Sequence, residues 1–298
     1  MKSALRPHRA ARLLRRAGLL AGVTLLSACS MGQLVVRGST AILDSGITAM
    51  NRETDLELAR AAMPANLKML EGMLVEDPGN STLRLYAAEG FYGYGFGFIE
   101  AEDPARAAVL YRRCYTHARS ALQAAGLSLD PESASADELT AAAAGLDARA
   151  VPALFWTASC LGKWIDLNRD TITVIASLAN AAALMQRALD LDEGFYHAGP
   201  HLFFGVYYGG RSPLLGGDFE RSAHHFKRAA QLNADRLLLV DVLQSQYLHR
   251  QQLDRDAFHA RLQHVLDAPD DLDPDLALIN GIAKQHAARL LTLEHEWF

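Results

Sequence analysis

The chain has 298 residues, half of them hydrophobic and 21% charged, with mean hydropathy near zero. That composition folds, and it excludes a disordered or collagen-like chain. A formal net charge of −5 argues against a nucleic-acid binder. Alanine and leucine are abundant and proline is sparse, which favours helix over strand. The length suits one large domain or two modest ones.

The N-terminus reads as a targeting segment. Lys2, Arg6, Arg9, Arg12, Arg15 and Arg16 stand in residues 1–28 with no acid among them. An apolar run follows from Ala17 to Leu26, too short for the ~20 residues that a bilayer-spanning helix needs. A basic stretch before a short apolar one is a secretory signal. It ends in Leu26-Ser27-Ala28-Cys29, which resembles a bacterial lipobox. That resemblance implies cleavage before Cys29 and lipidation of its thiol. An ordinary signal peptide with an incidental cysteine is the alternative. Arg15-Arg16 fits twin-arginine export poorly. Ser30, where an aspartate would favour the inner membrane, points to a periplasm-facing protein of the outer membrane. Losing six basic residues leaves 23 basic against 34 acidic, so the 270-residue mature chain carries −11. Cys114 and Cys160 then remain in an oxidising compartment. Both sit in apolar helical patterns and read first as two buried thiols; a disulfide between them is the alternative.

Residues 29–38 read as a tether. Helices are expected over Ser39–Met50 and over Glu53–Val75, the second interrupted near Pro64. Ser81–Ala101 follows. Asp103 caps the next helix, with Pro104 at its first position, and that helix runs to about Ala125. Residues 126–150 read as an insertion with a short helix opened by the capping box Ser135-Ala136-Asp137-Glu138. Then come Val151–Leu167, Asp170–Leu178, Ala179–Leu191, Gly194–Tyr208, Asp218–Leu232, Asp235–Arg250, Asp254–Leu266 and Asp273–Glu294. No segment alternates long enough for a strand.

A tetratricopeptide pattern lies over this helical run. Phe91, Gly95, Phe98, Ala107, Tyr111 and Cys114 occupy its large, small and aromatic slots without a gap. Small residues let one helix approach the next, and aromatics fill the remaining volume. Partial copies are Asn66, Leu70, Met73 and Pro78; Ala181, Met185 and Ala188; and Gly205, Tyr208, Ser222, Phe226 and Ala229. Hairpins that cannot bury their faces alone stack. The expectation is an all-α protein of about 10–12 helices, a right-handed tetratricopeptide-like solenoid. Residues 39–298 form one domain in this reading.

In that frame the chain resembles the T component associated with TRAP transporters (TatT), a tetratricopeptide-like periplasmic lipoprotein. The resemblance rests on several segments. They are the lipobox at Cys29, Gly90-Phe91-Tyr92-Gly93-Tyr94-Gly95-Phe96, Trp156 to Ile165, Pro213-Leu214-Leu215-Gly216-Gly217-Asp218, and Asn280-Gly281-Ile282-Ala283 with Ala287, Ala288, Leu290 and Leu291. It implies an accessory to solute uptake that partners the periplasmic solute-binding P component. It also implies a ligand-accessible cavity or pore for a hydrophobic or organic-acid ligand.

The residues themselves offer binding candidates. Gly90, Gly93, Gly95 and Gly97 each cost a helix ~1 kcal/mol relative to alanine, and the repeat accounts only for Gly95. In the repeat phase Glu89, Tyr92, Phe96 and Glu100 face the concave groove, an aromatic wall suited to an amphipathic ligand. Trp156, Cys160 and Trp164 make a stripe with Lys163 and Asp166 beside it, Lys163 offering a cation to a carboxylate. For both groups ordinary core packing is the competing explanation. In the loop after Tyr207 and Tyr208, Arg211 is placed to grip an organic anion. Gly216 and Gly217 allow left-handed backbone there, and Asp218 caps the next helix. His197 and His201 have metal-ligand spacing, and His224 and His225 are adjacent, but no third ligand is evident and no metal or cofactor is expected. Asp270 and Asp271 read as turn residues, and no nucleophile–base order stands out, so the chain is read as a binding protein and not an enzyme. A generic tetratricopeptide scaffold for envelope assembly is the second reading, and a metal-dependent hydrolase the third. A homo-oligomer is left open.

Overall fold

The computed structural model describes residues 31–170, 174 and 177–298. The signal segment, Cys29 and most of the helix expected over Asp170–Leu178 lie outside the described residues. Within them the chain is helical throughout, with no strand and fourteen helices of four residues or more. The excess over the expected 10–12 comes from short helices at the two ends and in the insertion.

The elements are α1 (Met31–Gly38), α2 (Thr40–Asn51), α3 (Leu56–Glu76), α4 (Ser81–Tyr94), α5 (Pro104–Ala124), α6 (Ala136–Ala143) and α7 (Val151–Asp166). They continue with α8 (Leu178–Leu191), α9 (Phe195–Gly209), α10 (Phe219–Leu232), α11 (Leu239–Gln244), α12 (Arg255–Asp267), α13 (Ala277–Thr292) and α14 (Glu294–Trp297). The stretch read as a tether is therefore helical from Met31 on. The caps follow the sequence. Asp103, Asp218 and Asp254 each accept from the backbone N–H three residues on, at 2.9–3.0 Å. Ser135 and Glu138 close the expected box reciprocally.

Four expectations need correction. Pro64 does not interrupt α3, which runs unbroken from Leu56 to Glu76. One hydrogen bond is lost, but Ala59, Leu67, Leu70 and Leu74 bury the face on both sides of it. The helix over Ser81–Ala101 changes pitch, passing from α4 into a π turn, Gly95–Ile99, in which Glu100 N–H donates to Gly95 O at 2.8 Å. α9 opens with a left-handed turn, Tyr196-His197-Ala198, with φ of 47, 57 and 59°, before the right-handed helix at Pro200. Finally, Ala234 and Asp235 also have positive φ, so the helix expected from Asp235 starts at Leu239.

Successive helices pack on one another: α3 on α4, α4 on α5, α5 on α7, α7 on α8, and α9 on α10. The insertion is part of this core. Leu127, Leu139 and Leu146 are buried, α6 lies on α8, and Asn180 donates to Pro131 O and Ala134 O at 2.8 and 2.9 Å. α13 then returns to α2 and α3. Arg52 meets Asp275 at 2.7 Å there, and Leu56 packs on Gly281. The N-terminal and C-terminal helices thus flank a central space.

Cys114 and Cys160 are joined as a disulfide between α5 and α7, with Cα atoms 5.7 Å apart. This corrects the two-thiol reading: the side chains are buried as expected, but the two helices bring them face to face. The bridge closes a sequence separation of 46 residues. Loop-closure entropy then sets a contribution of up to about 4 kcal/mol. Replacing both cysteines by alanine should lower the denaturant midpoint correspondingly. A reductant should lower the wild type toward the same value and leave the double variant unmoved.

Candidate functional site

The space between these helices is a partly open cavity of about 800 Å³, within the size range of small-molecule sites. Its walls come from α2, α3, α4, α7, α9, α11 and α13. Most of the lining is apolar, from Ile47 and Met50 on α2 to Ile279 and Ile282 on α13.

The inner wall is aromatic. Tyr92 lies against Trp156 at 5.5 Å between ring centroids, and Trp156 against Tyr196 at 4.7 Å. Phe203 stacks on Tyr207 further along α9. On α9 the lining residues Gly199, Leu202, Phe203, Val206, Tyr207, Gly210 and Arg211 follow helical spacing. The left-handed turn before them aims Tyr196 at the same space, beside Glu89. Three such residues in a row cost roughly 1–2 kcal/mol each. They are held by Asn233, which donates to His197 O at 2.9 Å, and by the Tyr196 ring on Trp156.

Besides polar side chains such as Asn66, Ser159, His197, Arg211 and Asp275, two features interrupt the apolar lining near the aromatic wall. One is self-contained: Lys163 donates to Glu100 at 2.5 Å and lies 3.7 Å from Asp166. Tyr111 donates to Glu100, and Arg169 pairs with Asp166. Burial alone would lower the Lys163 ammonium, but Glu100, Tyr247, Tyr111 and Asp166 hold it well above the usual lysine value. The other is Glu89. Burial pushes its carboxyl up to about 7, against the nearby Tyr196 hydroxyl, which lowers it. Among the described residues no cation forms an ion pair with it.

The structure brings together Glu89, Tyr92, Phe96, Trp156, Lys163 and Arg211 on this cavity. It does not bring Trp164 or Tyr208 there. Lys163, seven residues after Trp156, nearly repeats its direction, whereas Trp164 overshoots by about 80° at 3.6 residues per turn. Trp164 packs under Arg112 instead. Tyr208, one residue past the lining Tyr207, stacks on Phe204 and His225 beneath Arg221. Arg211 sits over the Tyr207 ring and donates twice to Tyr207 O, at 3.0 and 3.1 Å. Gly216 has φ +82°, and a Cβ on Gly217 would collide with Arg211 O, so both glycines are required by the turn that leads to the Asp218 cap.

The glycines of α4 divide by neighbour. Gly90, Gly95 and Gly97 admit Leu67, Tyr111 and Ile282 respectively, while Gly93 opens toward the cavity with only Met63 near. Tyr196, Phe203 and Tyr247 also line the space, although the spacing argument does not single them out. For Tyr196 no helical periodicity points the way, because its turn is left-handed. His197 lines the cavity, but the same turn separates it from His201, whose ring nitrogens face His225 at 2.9 Å and Glu193 at 3.0 Å. Among the described residues no three His, Cys, Asp or Glu side chains are grouped to hold a metal, and no helix is long and apolar enough to cross a membrane.

Among the described residues the fold and site define an all-helical protein built around a partly open, largely apolar cavity. Residues 52–298 match the family described as TAtT, TRAP transporter T-component, and the chain belongs to that family. Membership sets it among accessory components of TRAP transport. No curated protein matches the chain.

Glu89 makes a measurable prediction. Its folded carboxyl titrates near 7, above the unfolded value near 4.5. Its favourable contribution is thus complete below that unfolded value and lost as pH rises through 7. Glu89→Gln should stabilise the ligand-free protein at pH 8 by on the order of 2 kcal/mol and do little at pH 4. Thermal unfolding at both values checks this; an equal effect at both would contradict it.

Proposed function

We propose that the protein is a lipid-anchored accessory of a TRAP-type solute uptake system. It holds a hydrophobic or organic-acid ligand in its central cavity and docks the periplasmic solute-binding P component. In this reading residues 1–28 are removed, Cys29 carries the lipid on the periplasmic side of the outer membrane, and residues 39–298 act as one domain. Its hairpins follow one another in tetratricopeptide fashion. The observation that carries the reading is an apolar cavity of about 800 Å³ at the centre of a chain of this family.

Two further features support it. The Cys114–Cys160 disulfide suits an oxidising compartment. The division of the lining into a long apolar wall with few polar groups suits an amphipathic guest, the apolar body supplying affinity and the polar groups orientation. Arg211 at the loop edge is the residue best placed to meet a ligand carboxylate at the rim.

Two measurements test this. Pyrene, a neutral apolar fluorophore, should bind the purified protein. Gly93→Leu, whose new side chain enters the cavity past Met63, should weaken that binding at least about tenfold while leaving the circular dichroism unchanged. Capture from the cell envelope should recover a TRAP solute-binding protein. Recovery of envelope-assembly proteins alone would favour the scaffold reading.

A further inference from the structure

We propose that the inner end of the cavity, where Glu89 meets Tyr92, Trp156 and Tyr196, receives the positively charged nitrogen of an amphipathic amine. The amine's apolar body would lie along the wall toward α2 and α13. This inference rests on the cavity-ligand reading above, takes the hydrophobic guest over the organic acid, and specifies its head group.

Lys163 is committed to Glu100 and Asp166, and Asp166 also holds Arg169, so these two cations and two anions balance. Asp275 is paired with Arg52 at 2.7 Å. His197 is kept below its ordinary value by burial, against the pull of Asp273, and so stays uncharged at neutral pH. Arg211 lies on Tyr207, and its guanidinium is bonded to that residue's carbonyl. Glu89 and Arg211 are the lining charges that form no ion pair among the described residues, and of the two only Glu89 stands beside the Tyr92, Trp156 and Tyr196 rings. A carboxylate offers about four acceptor sites to a donor.

What surrounds Glu89 fits the same guest. Tyr92 follows it by one helical turn. The rings of Tyr92, Trp156 and Tyr196 form a continuous series, with successive centroids 5.5 and 4.7 Å apart. Aromatic faces attract a cation through their quadrupole; here Trp156 is buried, Tyr92 is half-buried and Tyr196 is exposed to solvent on one side. A carboxylate beside them supplies both charge and hydrogen-bond acceptors. An anionic head group would instead meet Glu89 as a like charge, with no free cation at that end to offset it. The raised Glu89 carboxyl is the expected signature of an acid waiting for a counter-ion, since an ammonium beside it would restore its ionised form.

The test compares three ligands with one chain length: decylamine, 1-decanol and decanoate. Each is titrated into the purified protein by calorimetry at neutral pH, below its aggregation threshold. Decylamine should bind about tenfold or more tighter than decanoate, the scale of one charge-assisted hydrogen bond. Glu89→Gln should abolish the preference for the amine, with a circular dichroism spectrum that matches the wild type and shows that the variant is folded. Decanoate binding as tightly as decylamine, or an amine preference that survives in Glu89→Gln, overturns the head-group assignment and leaves the cavity reading standing. Failure of all three to bind overturns both.

Discussion

A buried ammonium fixes the floor of the cavity. Lys163 on α7 reaches Glu100, at the end of the π turn that follows α4. Its charge lies within 6 Å of the Tyr111 and Phe96 rings, and Tyr247, from the π turn after α11, hydrogen-bonds Asp166 beside it. Four separate helical segments therefore converge on one charge. A buried cation tolerates no partial set of partners, because an uncompensated charge costs roughly 3–5 kcal/mol. That constraint explains the change of pitch after Tyr94. The wider turn carries Glu100 to Lys163 while Gly97 passes close to Ile282 of α13. The electrostatic centre and the closure of the fold onto its last helix are consequences of the same local geometry.

The cavity stays open because its walls are braced from behind. The disulfide locks α5 to α7. Tyr92, Trp156 and Tyr196 hold one another by ring contacts, so none is free to collapse inward. The left-handed turn at Tyr196-His197-Ala198 stores strain at the point where the polar and aromatic parts of the lining meet. Such strain persists only where the surroundings over-determine it. Here Glu89, Trp156 and Asn233 do so, each from a different helix or from the residue that ends one.

The regular parts of this architecture were legible in the sequence and the irregular parts were not. The caps at Asp103, Ser135, Asp218 and Asp254 are local hydrogen bonds between near neighbours, and local pattern reads them. Tyr92, Phe96 and Trp156 could be placed on the cavity side because they sit on ordinary helical turns. Trp164 lies off the cavity because a stripe drawn every four residues drifts around the helix, and Tyr208 because it is the neighbour of the lining Tyr207, one residue further round α9. Tyr196 was missed because it belongs to a left-handed turn that no periodicity anticipates. The pairing of Cys114 with Cys160 is likewise a property of two helices in contact, and each cysteine alone reads as a small apolar residue.

The walls of the cavity differ in how firmly they are held. α7 is almost wholly buried, whereas α2 has no buried residue, and Ile42 on it is 73% exposed. α2 is held by apolar contacts on one face, by Asp44 accepting from the Tyr86 hydroxyl, and by the exposed pair of Arg52, just past its end, with Asp275. Exposed contacts of that kind contribute about 0–1 kcal/mol each. Local opening follows the lowest local stability, so displacement of α2 requires less free energy than displacement of α4, α7 or α9. Those three carry Glu89, Trp156 and Tyr196, and their geometry survives such a displacement intact. The walls thus differ in stability: α4, α7 and α9 are anchored in the core, and α2 is held lightly at the surface.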